Sequence, residues 1–142
     1  MVAFPEADIP VAQLSMVGTL DPDTHYSVGA ALEPLRDEGV LIIGSGMSYH
    51  NLRGFTSGDP RVGPVSRRFD EWLSEAVTLP DPGERRRRLC AWKSAPGARE
   101  CHPRSDHLVP LFVAAGAAGA DRGRVDHAQM LMGAAVSSHI FG

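Results

Sequence analysis

Cysteine is scarce in this chain, with Cys90 and Cys101 the only two among 142 residues and no CxxC pair between them. The opening "MVAFPEADIP" has no basic segment followed by an apolar one, so no secretory leader is expected there. Two thiols without such a leader are expected to stay reduced, and the expected compartment is the cytoplasm. No apolar run approaches the ~20 residues that a membrane-spanning helix needs. Charge of one sign is also lacking. Fourteen Lys and Arg face 17 Asp and Glu for a net charge of −3, which gives a nucleic acid nothing to hold. There is no internal repeat and no low-complexity tract. The familiar nucleotide and hydrolase signatures are missing too. Gly44 and Gly46 begin a GxGxxG pattern, but position 49 is Tyr49 and no GK[ST] follows. A GxSxG elbow around Ser45 would need glycine where Ile43 and Met47 stand.

What is present suits one domain over residues 1–142, with 43% hydrophobic residues to form a core. "ADIPVAQLSM" reads as a strand starting near Ile9. Asp23 or Thr24 can cap a helix whose Val28, Ala31, Leu32 and Leu35 recur at helical spacing. Pro34 should kink that helix or mark its last turn, and Gly39 should end it. Val40 to Ile43 is apolar on both faces, as in a strand covered by helices. Strand, helix and strand in this order point to an α/β fold. Further along, "VSRRFDEWLSEAVT" is amphipathic, with Val65, Phe69, Trp72, Leu73, Ala76 and Val77 on one face. "SDHLVPLFVAAGAAG" reads as a helix capped by Ser105, and "HAQMLMGAAVSSHIFG" as a last strand. About three strands make a thin sheet, since sheets average ~5–6. The chain therefore reads as part of a mixed sheet flanked by helices.

Two stretches can carry chemistry. In "GVLIIGSGMSYHNLR" a strand-like run stops at Gly44-Ser45-Gly46 and presents His50 beside Asn51. A lone histidine is more often structural than catalytic. Ligands of open α/β sheets, however, bind beyond the carboxyl ends of strands, where this loop must lie. A group with a pKa near ~6.5 can take and return a proton at neutral pH. In "CHPRSDHLVPL", His102 and His107 are five apart with Asp106 between them, and histidine and carboxylate are typical Fe(II) or Zn(II) ligands. No HExxH pattern strengthens that reading. With Ser105 as helix cap, Asp106 and His107 would fall in the first turn about 100° apart and would not share an ion, leaving Asp106 to the helix dipole. Arg85 to Arg88 reads as a solvated helix face balanced by Glu75, Asp81 and Glu84. His25, His127 and His139 show no partner pattern.

Taken together, "VGAALEPLRDEGVLIIGSGMSYHNLRGF", "FDEWLSEAV", "RRLCAWKSAPGARECHPRSDHLVPLFVAAGAAG" and "SSHIFG" resemble the class III extradiol ring-cleavage dioxygenases, 4,5-DOPA dioxygenase type. The resemblance runs nearly end to end but covers only the C-terminal part of that family. It implies an α/β fold around a non-haem metal, Fe(II) for ring cleavage with Zn(II) in some members, and a catecholic substrate with O2. By the same resemblance His50 is the acid/base and His107 the last metal ligand. His102, Asn51 and Ser45 are expected to bind substrate or to support a residue that does. Asp106 stands where the family often has Glu. The family's other metal ligands are histidines of its N-terminal half, one in an HGSP-like motif that does not occur here. A second chain or the missing half is then the expected partner, and this chain alone is expected to be inactive. The rival reading is a non-catalytic binding protein that kept the fold and lost the metal.

Overall fold

The computed structural model describes Glu6 and residues 8–142, so part of the opening segment lies outside the described residues. The first helix, α1, runs Pro22–Leu32. Its cap is Asp21, whose carboxylate accepts from the Thr24 amide at 2.7 Å and the Thr24 hydroxyl at 2.6 Å. The cap therefore lies two residues before the expected Asp23, because Pro22 is preset for the first helical position and has no N–H to satisfy. The same Asp-Pro device opens α4, Pro82–Cys90, where Asp81 accepts from the Glu84 amide at 2.7 Å. Pro34 falls in a 3₁₀ turn, Glu33–Arg36, that finishes α1, and Gly39 turns the chain at φ +81°.

Helix α2, Leu52–Ser57, and the long α3, Val62–Val77, follow. On α3 the expected face is the buried one. Phe69, Leu73, Ala76 and Val77 are fully enclosed, with Val65 and Trp72 packed at the edge. After α4 come the short α5, Ala98–Cys101, and then α6, Val109–Ala117. Helices α1 and α6 meet backbone to backbone. A side chain on Gly29 would strike the Val113 carbonyl, and one on Gly116 would strike that of Tyr26. Phe69, Leu89, Trp92, Leu108, Val109 and Phe112 complete one core. Among the described residues no helix is long and apolar enough to cross a membrane.

The mixed α/β class holds, but its strands are not where the sequence placed them. The expected last strand is a hairpin: β1, Gly123–Leu131, pairs antiparallel with β2, Ala134–Phe141. Its two-residue turn is Met132-Gly133, at φ +47° and +85°. A methionine in the first of those positions hides a turn that Asn or Asp would have announced. The expected strands near Ile9 and at Val40 to Ile43 lie in segments outside any ladder. Ile9, Val11, Leu14, Val40, Leu41 and Ile43 are all exposed. Strand-type side chains do not make a strand without a neighbour to bond, and among the described residues none is supplied.

Arg85 corrects a second expectation. It is fully buried rather than part of a solvated face. Its guanidinium donates to the carbonyls of Gly119 at 2.6 Å, Asp121 at 2.9 Å and Leu79 at 3.3 Å, and lies over the Phe141 ring. It thereby ties the end of α6 to the end of β2. Arg87 and Arg88 pair with Glu84 and Glu75 at the surface as expected, while Arg86 pairs with Asp23 and not with the expected Asp81. Arg85→Ala should cost roughly 3 kcal/mol or more by stranding buried carbonyls. Arg86→Ala should cost at most about 1 kcal/mol. Urea denaturation of the two variants measures the contrast, and equal losses would refute the buried-anchor role.

Candidate metal centre

The Gly44 to Asn51 loop and the Cys101 to His107 segment are laced together by their backbones. The Met47 amide donates to the His107 carbonyl at 2.9 Å, and the His50 amide to the Cys101 carbonyl at 3.0 Å. Glycine is required for this approach. A side chain on Gly46 would collide with the His107 carbonyl, and one on Gly44 would lie 2.5 Å from the Pro110 carbonyl oxygen. The glycines therefore serve the seating of this loop against the turn that carries His107.

That turn differs from the expected one. Ser105 accepts through its backbone carbonyl from the amides of Leu108 and Val109, both at 2.9 Å, and the helix begins only at Val109. Asp106 and His107 thus sit in a tight turn before α6 rather than in its first turn. The expected 100° separation does not apply: Asp106 Oδ1 lies 3.4 Å from His107 Nδ1. His50, Asp106 and His107 form a group whose ligand atoms lie within 4.8 Å of one another. The rings of His50 and His107 stack, with centroids 3.5 Å apart and planes 14° apart. Nitrogen lone pairs lie in the ring plane. An ion held in the plane of one imidazole therefore lies well out of the plane of the other.

The remaining candidates divide by burial. His102 is fully buried between Phe69 and Trp92. Its Nε2 donates to the Ser48 carbonyl at 2.9 Å, and among the described residues its Nδ1 has no hydrogen-bond partner. It touches the loop from beneath. Asn51 caps α2, accepting from the Gly54 amide at 3.1 Å and donating to the Glu100 carbonyl at 2.7 Å, so both ends of its amide are engaged. Ser45 is exposed on the loop. His25, for which the sequence offered no partner, is buried: Nδ1 donates to the Asp21 carbonyl at 2.7 Å and Nε2 accepts from Val17 at 3.1 Å. It lies away from the Gly44 to Asn51 loop in sequence and serves the turn before α1. The approach of Asp106 to His107 departs from the expected helix-dipole role because α6 begins at Val109 and not at Ser105.

Residues 1–141 match the family described as the catalytic LigB subunit of aromatic ring-opening dioxygenase. The chain belongs to this family. It is 45% identical over 119 residues to a 4,5-DOPA dioxygenase extradiol of Beta vulgaris, covering 84% of this chain and 43% of that protein. A 4,5-DOPA dioxygenase extradiol of Escherichia coli is 33% identical over 115 residues, covering 80% and 42%. An uncharacterised Escherichia coli K12 protein of known crystal structure superposes with a TM-score of 0.80 at 29% identity, over 94% of this chain and 57% of that one. The chain spans less than half the length of these curated relatives, and the portion it corresponds to is their C-terminal one.

Within this ring-opening dioxygenase relative, burial is the main influence on His50 and His102. Burial pushes His102 down to about 4 despite its bond to Ser48. Burial also lowers His50, helped by the charge of neighbouring His107. Burial alone would raise Asp106, but its bond to His107 and the nearby positive charges hold its carboxyl below the ordinary value. A histidine depressed in the folded state contributes stability that is complete above its unfolded pKa of ~6.5 and is lost as pH falls toward the folded value. Between pH 6.5 and 4, His102 should account for a loss on the order of 3 kcal/mol. Denaturant titrations across that range should show stability falling with acid, and His102→Gln should flatten most of the slope. An unchanged slope in the variant would contradict the assignment.

Proposed function

We propose that this chain supplies the proton carrier and one metal ligand of an extradiol ring-cleavage dioxygenase that opens a catecholic substrate with O2 at a non-haem Fe(II). The observation that supports this reading most is the parallel stacking of His50 on His107. Two imidazoles so arranged cannot both aim a lone pair at one ion, so they divide the work.

The donor set suits such an ion, since imidazole and carboxylate are the ligands that Fe(II) and Zn(II) accept. His107 is the ligand, being the more accessible, with 44% of its side chain exposed against 23% for Asp106. Asp106 beside Nδ1 leaves Nε2 as the coordinating atom and fixes the ring's orientation. When bound, Fe(II) would supply Lewis acidity and a common point of attachment for the two catechol oxygens and O2. His50, held neutral by its surroundings, takes a catechol hydroxyl proton on a ring nitrogen and returns it as the ring opens. His102 keeps the loop beneath His50 in place through the Ser48 carbonyl. One imidazole is too little to hold the ion tightly, so further ligands come from the portion of the family fold that this chain does not span.

In the completed enzyme, His107→Ala should lose metal and activity together. His50→Ala should keep its metal and slow turnover by roughly 10²–10⁴-fold. Metal analysis with initial rates on a catechol decides the matter. Loss of metal from His50→Ala with retention by His107→Ala would reverse the roles. This chain alone, loaded with Fe(II) and given DOPA in air, should form no yellow ring-opened product beyond that of free iron.

A further inference from the structure

We infer that the groove between the Val40–Gly46 segment and β2 receives an extended strand from the part of the family fold that this chain does not span. The groove encloses about 720 Å³. One wall is the segment from Val40 to Gly46, and the floor is α6 through Leu111, Ala114, Ala117 and Ala118. The other wall is β2 from Ser137 to Phe141.

Both walls present backbone that asks for a partner. Among the described residues, the Val40 amide bonds back to Leu35 and the Met47 amide to His107, while no backbone hydrogen bond reaches residues 41–46. On β2, the Ala135 and Ser137 amides point away from β1, as their bonds to Ser66 and Ser48 hydroxyls show. Alternation along the strand aims the His139 and Phe141 amides the same way, into the groove. Side chains agree with backbone. Leu41 is 73% exposed and Ile43 71%. A strand-like run with an open backbone and bare apolar side chains is the template on which another strand adds.

The occupant follows from the family comparison. The solved neighbour shares this fold over 94% of the chain yet is covered for only 57% of its own length, so a large part of that fold has no counterpart here. An apolar strand from that part satisfies the open amides and covers Leu41 and Ile43. Gly46, Met47, Ser48 and His107 also line the groove, so such a strand ends beside the stacked histidines. The inference rests on family membership and not on the ring-opening reading, and its test reads no activity.

The probe is the stretch of the Beta vulgaris relative left uncovered by this chain, produced as a separate polypeptide. Hydrogen exchange followed residue by residue on this chain should show fast exchange at residues 41–46, His139 and Phe141. Adding the probe should slow those amides at least 100-fold. The double variant Leu41→Lys, Ile43→Lys, at exposed positions, should keep the melting temperature of the free chain and weaken binding at least tenfold. Three results would overturn the inference. One is binding without protection at these amides. The second is protection that rises with the chain's own concentration before any probe is added, which would make a second copy the occupant. The third is the absence of a complex at high micromolar concentrations of both polypeptides.

Discussion

Everything near the candidate site depends on one close approach, that of the Gly44–Gly46 backbone to the His107–Pro110 turn. Two peptide chains can come this near only where no side chain intervenes, and the carbonyls of His107 and Pro110 occupy the space that a Cβ would need. From that contact follows the Met47 to His107 bond, and beyond it the bond from His50 to Cys101. Two residues far apart in sequence are thereby brought ring to ring. The cost is borne by the backbone of residues 41–46, which among the described residues makes no backbone hydrogen bond.

Beneath the loop the structure spends polar groups sparingly and in a dry setting. His102, with a bare ring nitrogen in an aromatic cage, holds Ser48 from below, and the Ser48 hydroxyl accepts from β2 at Ser137. Arg85 does similar work on the opposite side, binding three carbonyls where α6 ends. Both are buried polar groups whose removal strands their partners. They fix the position of elements, whereas His50, Asp106 and His107 are only partly buried.

Much of this was legible in the sequence, and the exceptions share a cause. The apolar face of α3, the role of Gly39 and the candidate histidines were readable because they depend on local periodicity or on particular residues. The strands were not. Ile9 and Val40 to Ile43 have the composition of strands, but pairing is a property of neighbours, and this chain spans under half of its curated relatives. The hairpin was hidden by Met132, which takes a positive φ without announcing it. Asp106 was discounted because Ser105 is a plausible cap by type, whereas its backbone carbonyl, rather than its side chain, closes the turn. Arg85 could not be separated from its three neighbours by composition, since only the packing of α4 determines which arginine points inward.

The central claim is that the glycine approach sets His50 face to face with His107. Ring-proton NMR of the chain and of its Gly46→Ala variant tests that claim most directly. In the native chain, His50 should titrate below an ordinary histidine and its ring protons should show cross-relaxation with those of His107. In a Gly46→Ala variant that remains folded, the cross-peaks should vanish and the His50 titration should move up toward the ordinary value. Cross-peaks and a depressed His50 that both survive Gly46→Ala would contradict the account.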